Sequence, residues 1–116
     1  MNRIKYDLEE RTTKFSEEII DLCKLVNRNT ITIPILDQLI RSATSIGANY
    51  FEANGAASKK DFKNKITISR KEARETQYWL RLLAKSEETV RNDCRRLWKE
   101  SQELTLIFSK IALSTK

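Results

Sequence analysis

The stretch from Arg41 to Phe62, RSATSIGANYFEANGAASKKDF, decides the fold. It carries no charge between Ser42 and Phe51, although 33% of the chain is Asp, Glu, Lys or Arg. Leading into it and along it, Leu36, Leu39, Ala43, Ile46, Tyr50 and Ala53 recur every three or four residues, the spacing that lines up one face of an α-helix. Asn54-Gly55 then reads as a C-terminal stop, with Gly taking the left-handed cap conformation. Ser58-Lys59-Lys60-Asp61 has the form of a capping box with Asp at N3 and starts the next helix. A helix uncharged around its circumference for about three turns is expected to be covered on most sides, which would make it the central helix of a bundle. Ser42, Ala43, Ser45, Gly47 and Ala48 are small enough for close backbone approach. Gly47 costs up to ~1 kcal/mol of helix propensity, which points to a contact with no room for a side chain.

Working outward, the same spacing recurs three more times. Leu8, Thr12, Phe15, Ile19, Leu22 and Val26 form one seam; Phe62, Ile66, Ser69, Ala73, Thr76, Leu80 and Leu83 a second; Val90, Cys94, Leu97, Ser101, Leu104, Phe108 and Ile111 a third. Four amphipathic helices over residues 5–27, 33–54, 59–85 and 88–113 follow, joined by short connections that favour antiparallel neighbours. The expected fold is all-α, a single-domain, elongated, up-down-up-down four-helix bundle. Two Gly and one Pro in 116 residues agree with that and argue against an all-β design. TITIPI, residues 30–35, alternates like a strand but has no partner, so it reads as an extended lead-in with Thr32 as N-cap and Pro34 in the first turn.

Composition narrows the chemistry. The chain has no histidine, which removes Ser-His-Asp and Cys-His catalysis, histidine-ligated zinc or haem, and the Glu-x-x-His pattern of di-iron bundles. Glu52, Glu72 and Glu75 include no pair whose context marks an acid and a base, so the expectation is a protein that is not an enzyme, with no catalytic, cofactor or metal residues and no small-molecule substrate. Cys23 and Cys94 each sit in a helical apolar pattern and read as two buried free thiols rather than a disulfide. The segment MNRIKYDLEERTTKF has no apolar h-region and no uncharged run approaches a membrane span of ~18 residues, so a cytoplasmic location with no membrane partner is expected.

The polar members of the second helix need partners. Gln38, Ser42, Ser45 and Asn49 recur at helical spacing, and Arg41 and Asn49 are two turns apart. Two readings stay open: an internal network that fixes helix register, or a row facing another copy of the chain. Ile20, Phe51, Tyr78, Trp79, Leu82, Trp98 and Ile107 are apolar surplus beyond one seam, which favours self-association. Arg41, Ser45, Asn49, Trp79 and Trp98 are the candidate oligomer interface.

The net charge of +6 is uneven, because residues 1–58 hold seven Lys or Arg against eight Asp or Glu, and residues 59–116 hold fifteen against eight. Lys63, Arg70, Arg74, Arg81 and Lys85 follow one another at offsets of seven, four, seven and four, along one stripe. Arg91, Arg95 and Lys99 form a second stripe at i+4 steps. Such stripes suit phosphate neutralisation, and these eight residues are the candidate nucleic-acid contacts, with RNA or DNA as the partner. The competing reading is a solvated surface braced by the i,i+4 pairs Lys71–Glu75, Glu87–Arg91, Arg96–Glu100 and Lys99–Glu103. No Gly-rich phosphate loop or Cys-pair zinc framework accompanies the charge.

QLIRSATSIGANYFEA, residues 38–53, and SKKDFKNKITISRKEARETQYWLRLL, residues 58–83, resemble the bacterial four-helix-bundle family of 23S ribosomal RNA intervening-sequence proteins. The most specific elements are Arg-Ser-x-x-Ser-Ile-x-x-Asn, Arg41 to Asn49, and Ser-Lys-Lys-Asp-Phe at residues 58–62. Many members have Pro at the position of Gly47, and Glu-Gly where this chain has Glu52-Ala53. The resemblance implies a left-handed antiparallel bundle assembling as a homopentamer, related to proteins encoded within inserts in ribosomal RNA genes. It also implies likeness in fold to the accessory variability protein of diversity-generating retroelements, a basic pentamer that contacts nucleic acid and a reverse transcriptase. It implies no catalytic residues. An adaptor that binds protein partners without nucleic acid is the alternative.

Overall fold

Every seam position from Leu8 to Val26 and from Leu36 to Ala53 is buried, as are Ile66 to Leu83 and Val90 to Phe108 at the same spacing; Phe62 and Ile111, at the ends of their seams, are partly covered. The computed structural model describes residues 3–115, with side chains from Asp7 onward. Its elements in order are α1 (Arg3–Lys24), α2 (Thr32–Asn54), α3 (Lys59–Ser86), a 3₁₀ turn (Glu88–Val90) and α4 (Arg91–Ser114). They form an elongated all-α four-helix bundle, 44 × 23 × 19 Å.

Cross-helix bonds fix the antiparallel register. The Ser69 hydroxyl donates to the Ile46 carbonyl at 2.9 Å and Thr76 Oγ1 donates to Ser42 Oγ at 2.9 Å, joining α3 to α2. Ser101 Oγ donates to the Ala73 carbonyl at 2.6 Å, joining α4 to α3. These hydroxyls occupy seam positions without becoming unsatisfied buried polar groups, and their small size lets the helices approach closely. Helix α3 packs closely against both α2 and α4, and α2 has the larger buried share of the two, eight of its 23 residues against seven of 28. Of the neighbouring helix pairs, α1 and α4 meet most loosely.

The uncharged stretch of α2 is open to solvent in the protomer only at Ala48 and Phe51. Ser42, Ala43, Ile46 and Tyr50 are buried, Tyr50 against Phe108 at 5.6 Å between ring centroids. On the opposite side Thr44 is half-buried, Ala48 exposed and Phe51 70% exposed. Gly47 does have the tight contact its sequence position suggested: a Cβ there would stand 3.2 Å from Thr12 Oγ1 and 3.3 Å from Thr12 Cβ on α1. Close contact with α1 accounts for the glycine.

Three joints differ from expectation. Residues 30–31 form a turn instead of an extended lead-in, with Ile31 already helical at φ −89° and ψ −47°. Asn29, rather than Thr32, caps α2: its Oδ1 accepts from the Ile31 and Thr32 N–H groups at 2.9 Å, while Thr32 Oγ1 accepts from Asn29 N–H at 3.0 Å. That reciprocal arrangement satisfies backbone donors that an extended strand would leave bare. Gly55 has φ −102° and no left-handed cap forms; 3₁₀-type bonds from Gly55 to Glu52 and from Ala56 to Ala53 close the helix instead. Ser58 caps α3 as predicted, its Oγ accepting from Asp61 N–H at 3.1 Å. Helix α1 ends at Lys24, three residues short of the expected boundary, with a 3₁₀-type closing turn to Leu22 and Cys23.

Candidate nucleic-acid interface

Helix α3 presents nine Lys or Arg against three Asp or Glu. Two of those acids are turned away from its own lysines and arginines. Arg41 of α2 reaches across to pair with Glu75 and lies 3.6 Å from Glu72, so the expected Lys71–Glu75 pair does not form. On α4 the same thing happens. Glu100 and Glu103 pair with Arg11 of α1 at 2.7 and 2.9 Å, and Arg96 pairs with Glu18 at 3.1 Å and Asp93 at 3.9 Å. Neither the Arg96–Glu100 nor the Lys99–Glu103 pair is present among the described residues, and Arg91 pairs with Glu88 at 3.4 Å in place of Glu87. Interhelical arginines, with more rigid forked donors and stronger carboxylate matching, take the acids that one-helix spacing had assigned to neighbouring cations.

The consequence is a surface of cations without counter-ions. Of the eight predicted contacts, Arg91 alone has an ion-pairing carboxylate among the described residues. Lys63, Arg74, Arg81, Lys85, Arg91, Arg95 and Lys99 are exposed and Arg70 is half-buried. They do not form one strip. Arg81 and Lys85 of α3 converge with Arg91 and Arg95 of α4 around a hollow of about 430 Å³ floored by Leu80, Ala84, Cys94 and Trp98. Arg70 and Arg74 lie further along α3, beside Thr67 and Lys71. Arg95 and Lys99 also border a second groove, about 630 Å³, with Lys14 of α1 on its other side. Lys63 stands apart near the start of α3.

Sequence reasoning missed Lys14, Lys71 and the place of Trp98. Trp98 follows Arg91 by seven residues and Arg95 by three, so its helical side was readable; Lys14 gives no sequence signal that ties it to α4.

The predicted oligomer set is divided by the fold. Arg41, Ser45, Asn49 and Trp79 share the outer groove between α2 and α3, whereas Trp98 lies between α3 and α4. In the first groove Arg41 donates to Gln38 Oε1 from Nε at 3.2 Å and Nη2 at 3.1 Å, and Asn49 Nδ2 donates to the Ser45 carbonyl and hydroxyl at 2.9 Å. The Trp79 indole N–H donates to Glu75 Oε2 at 2.9 Å. Glu72 is buried, and its Oε1 has no hydrogen-bond donor among the described residues. This network bonds α2 to α3 within one chain.

Burial pushes the Cys23 thiol up to about 11; burial, with smaller contributions from Asp93 and Cys23, pushes Cys94 up to about 12. Both are free and buried. No group of three or more His, Cys, Asp or Glu side chains among the described residues is placed to hold a metal ion, and no described helix is long and apolar enough to cross a membrane.

A four-helix bundle with a cation-rimmed outer face and a polar α2/α3 groove is the class this geometry defines. The chain belongs to the 23S rRNA-intervening sequence protein family, which it matches over residues 5–110. It is similar to a crystal structure of a protein of unknown function from the S23 ribosomal protein family of Bacteroides thetaiotaomicron, with 36% identity and a TM-score of 0.81, over 90% of this chain and 96% of that one. Among curated proteins none matches.

Proposed function

We propose that this chain is a non-catalytic, cytoplasmic homo-oligomer, a pentamer, that binds RNA or DNA without strong sequence preference through the outer face of α3 and α4. The observation that carries the reading is that Arg70, Arg74, Arg81, Lys85, Arg95 and Lys99 have no ion-pairing carboxylate among the described residues, while Glu75, Glu100 and Glu103 pair with arginines on other helices. Phosphates are the counter-ions such a surface suits. A filter-binding titration tests it. With four phosphates neutralised on a single strand, affinity falls roughly 50-fold between about 50 and 200 mM salt. Charge reversal at Arg81 and Lys85 weakens binding of every sequence alike. No binding at low salt rejects the proposal.

For assembly, the α2/α3 groove with Arg41, Ser45, Asn49 and Trp79, flanked by exposed Phe51 and Tyr78, is the proposed contact between copies. Light scattering then gives about five times the 13.6 kDa chain mass. A second reading, an adaptor that holds protein partners without nucleic acid, is favoured by the exposed Phe51 and Tyr78, 70% and 56% open. Partners that stay bound after nuclease treatment would support it.

A further inference from the structure

The hollow between α3 and α4 is unlike the rest of the basic face. Its floor is apolar, made by Leu80, Ala84, Cys94 and the partly buried Trp98, and its rim carries Arg81, Lys85, Arg91 and Arg95. Glu88 pairs with Arg91 at 3.4 Å, and the other three cations have no ion pair among the described residues. A flat phosphate track needs no apolar floor. An aromatic floor ringed by cations matches a ligand that is itself apolar and flat at its centre and anionic at its edges.

We infer that this hollow takes one unpaired nucleobase of a single-stranded RNA or DNA, set against Trp98, with the flanking phosphates on Arg81, Lys85, Arg91 and Arg95. The inference rests on the nucleic-acid reading above and adds the form of the ligand. Bases in a duplex are paired and stacked inward, so a base reaches a concave site only when its strand is single. Every base has a π-face, so stacking on an indole tolerates any sequence. The volume of about 430 Å³ is large enough for one base with its sugar. Cys94 and Leu80 are buried, so the floor is held by the core of the bundle and is formed before the ligand arrives.

The test uses the full chain and labelled 12-residue oligonucleotides in four forms: RNA strand, DNA strand, duplex, and a single strand of abasic sugar-phosphate. The RNA and DNA strands bind about tenfold more tightly than the abasic strand, in the range expected for one stacked base. Trp98→Leu removes that difference and leaves duplex and abasic binding unchanged, while Trp98→Phe retains part of it. Helicity and light-scattering mass of each variant are measured alongside. Trp79→Phe leaves Trp98 as the sole indole, since the chain has two tryptophans, and its fluorescence is quenched by the base-bearing strands only. That readout serves even if Trp98→Leu fails to fold. Equal affinity for strand and abasic strand, or an unquenched Trp98 in the bound state, overturns the slot but leaves the surface reading standing. An acidic peptide bearing Phe that quenches Trp98 where RNA and DNA strands do not also overturns it. Failure of all four forms to bind at low salt overturns both.

Discussion

Arg11 of α1 holds Glu100 of α4 with two parallel hydrogen bonds, Nε to Oε2 at 2.7 Å and Nη2 to Oε1 at 2.8 Å, and its Nη2 also reaches Glu103 at 2.9 Å. The Glu100 bond is the largest influence keeping this guanidinium charged. Two-pronged pairs are the stronger class of charge-assisted bond. This one spans α1 and α4, the loosest of the neighbouring helix pairs.

Glu100→Gln should therefore act on α1 more than on the molecule as a whole. Both partners are partly solvated, so the loss is expected at about 0.5–1 kcal/mol by urea denaturation. Hydrogen exchange is the sharper measurement. Amides of α1 should exchange faster, while those of α3, closely flanked on two sides, stay near their original rates. Uniform acceleration across the four helices would show that α1 is not separately tethered.

Arg41 and Glu72 give a second expectation. Glu72 has a 9% exposed side chain, and Arg41 Nη1 at 3.6 Å is its charged neighbour across the α2/α3 groove. Arg41→Met leaves that carboxylate without a counter-ion and should cost about 1–2 kcal/mol, less than for a fully buried pair because Arg41 is half exposed. Adding Glu72→Gln removes the stranded charge and should recover part of the loss. Thermal melts of the four members of this cycle measure the coupling, and additive losses would rule it out.

The cysteines set a pH window. In the folded chain Cys23 titrates near 11 and Cys94 near 12, above the ordinary value of 9.0, because burial disfavours the thiolate. The folded state thus holds these protons more tightly than the unfolded one. Their contribution to stability is fully present below pH 9 and is lost as pH rises through 11 to 12. Denaturation midpoints should be flat near neutrality with respect to these groups and fall above about pH 9. Cys23→Ala/Cys94→Ala should be less stable at pH 7 but show a shallower alkaline fall. Disulfide-exchange reagents should label neither thiol at pH 8 until the chain opens.

The seams were legible in the sequence because burial follows helical period regardless of side-chain polarity. Thr12, Ser69, Thr76 and Ser101 were placed on seams by spacing alone, and all are buried. Gly47 was legible for a different reason: a propensity cost inside a helix asks for a contact, and Thr12 supplies it. The two open positions of the uncharged α2 stretch were not legible. The lack of charge at Ala48 and Phe51 reports only that those side chains are small or apolar, and both are open to solvent in the protomer. The two surface stripes were readable on each helix separately, but their meeting at Arg81, Lys85, Arg91 and Arg95 depends on the α3–α4 register fixed by contacts such as Ser101 with Ala73. Nor did spacing reveal the ion pairs, since Arg11, Arg41 and Arg96 take acids from other helices. The joints misread at Ile31 and Gly55 turn on local bonds to Asn29 and Glu52 that propensity alone does not choose between.

Helix α3, with nine basic and three acidic residues, lies diagonally across the bundle from α1, with five basic and six acidic. The protomer thus has a transverse dipole. If the basic face binds a polyanion as proposed, the field of that polyanion turns the α3 corner toward it before contact, so added salt should slow the encounter rate as well as loosen the proposed complex.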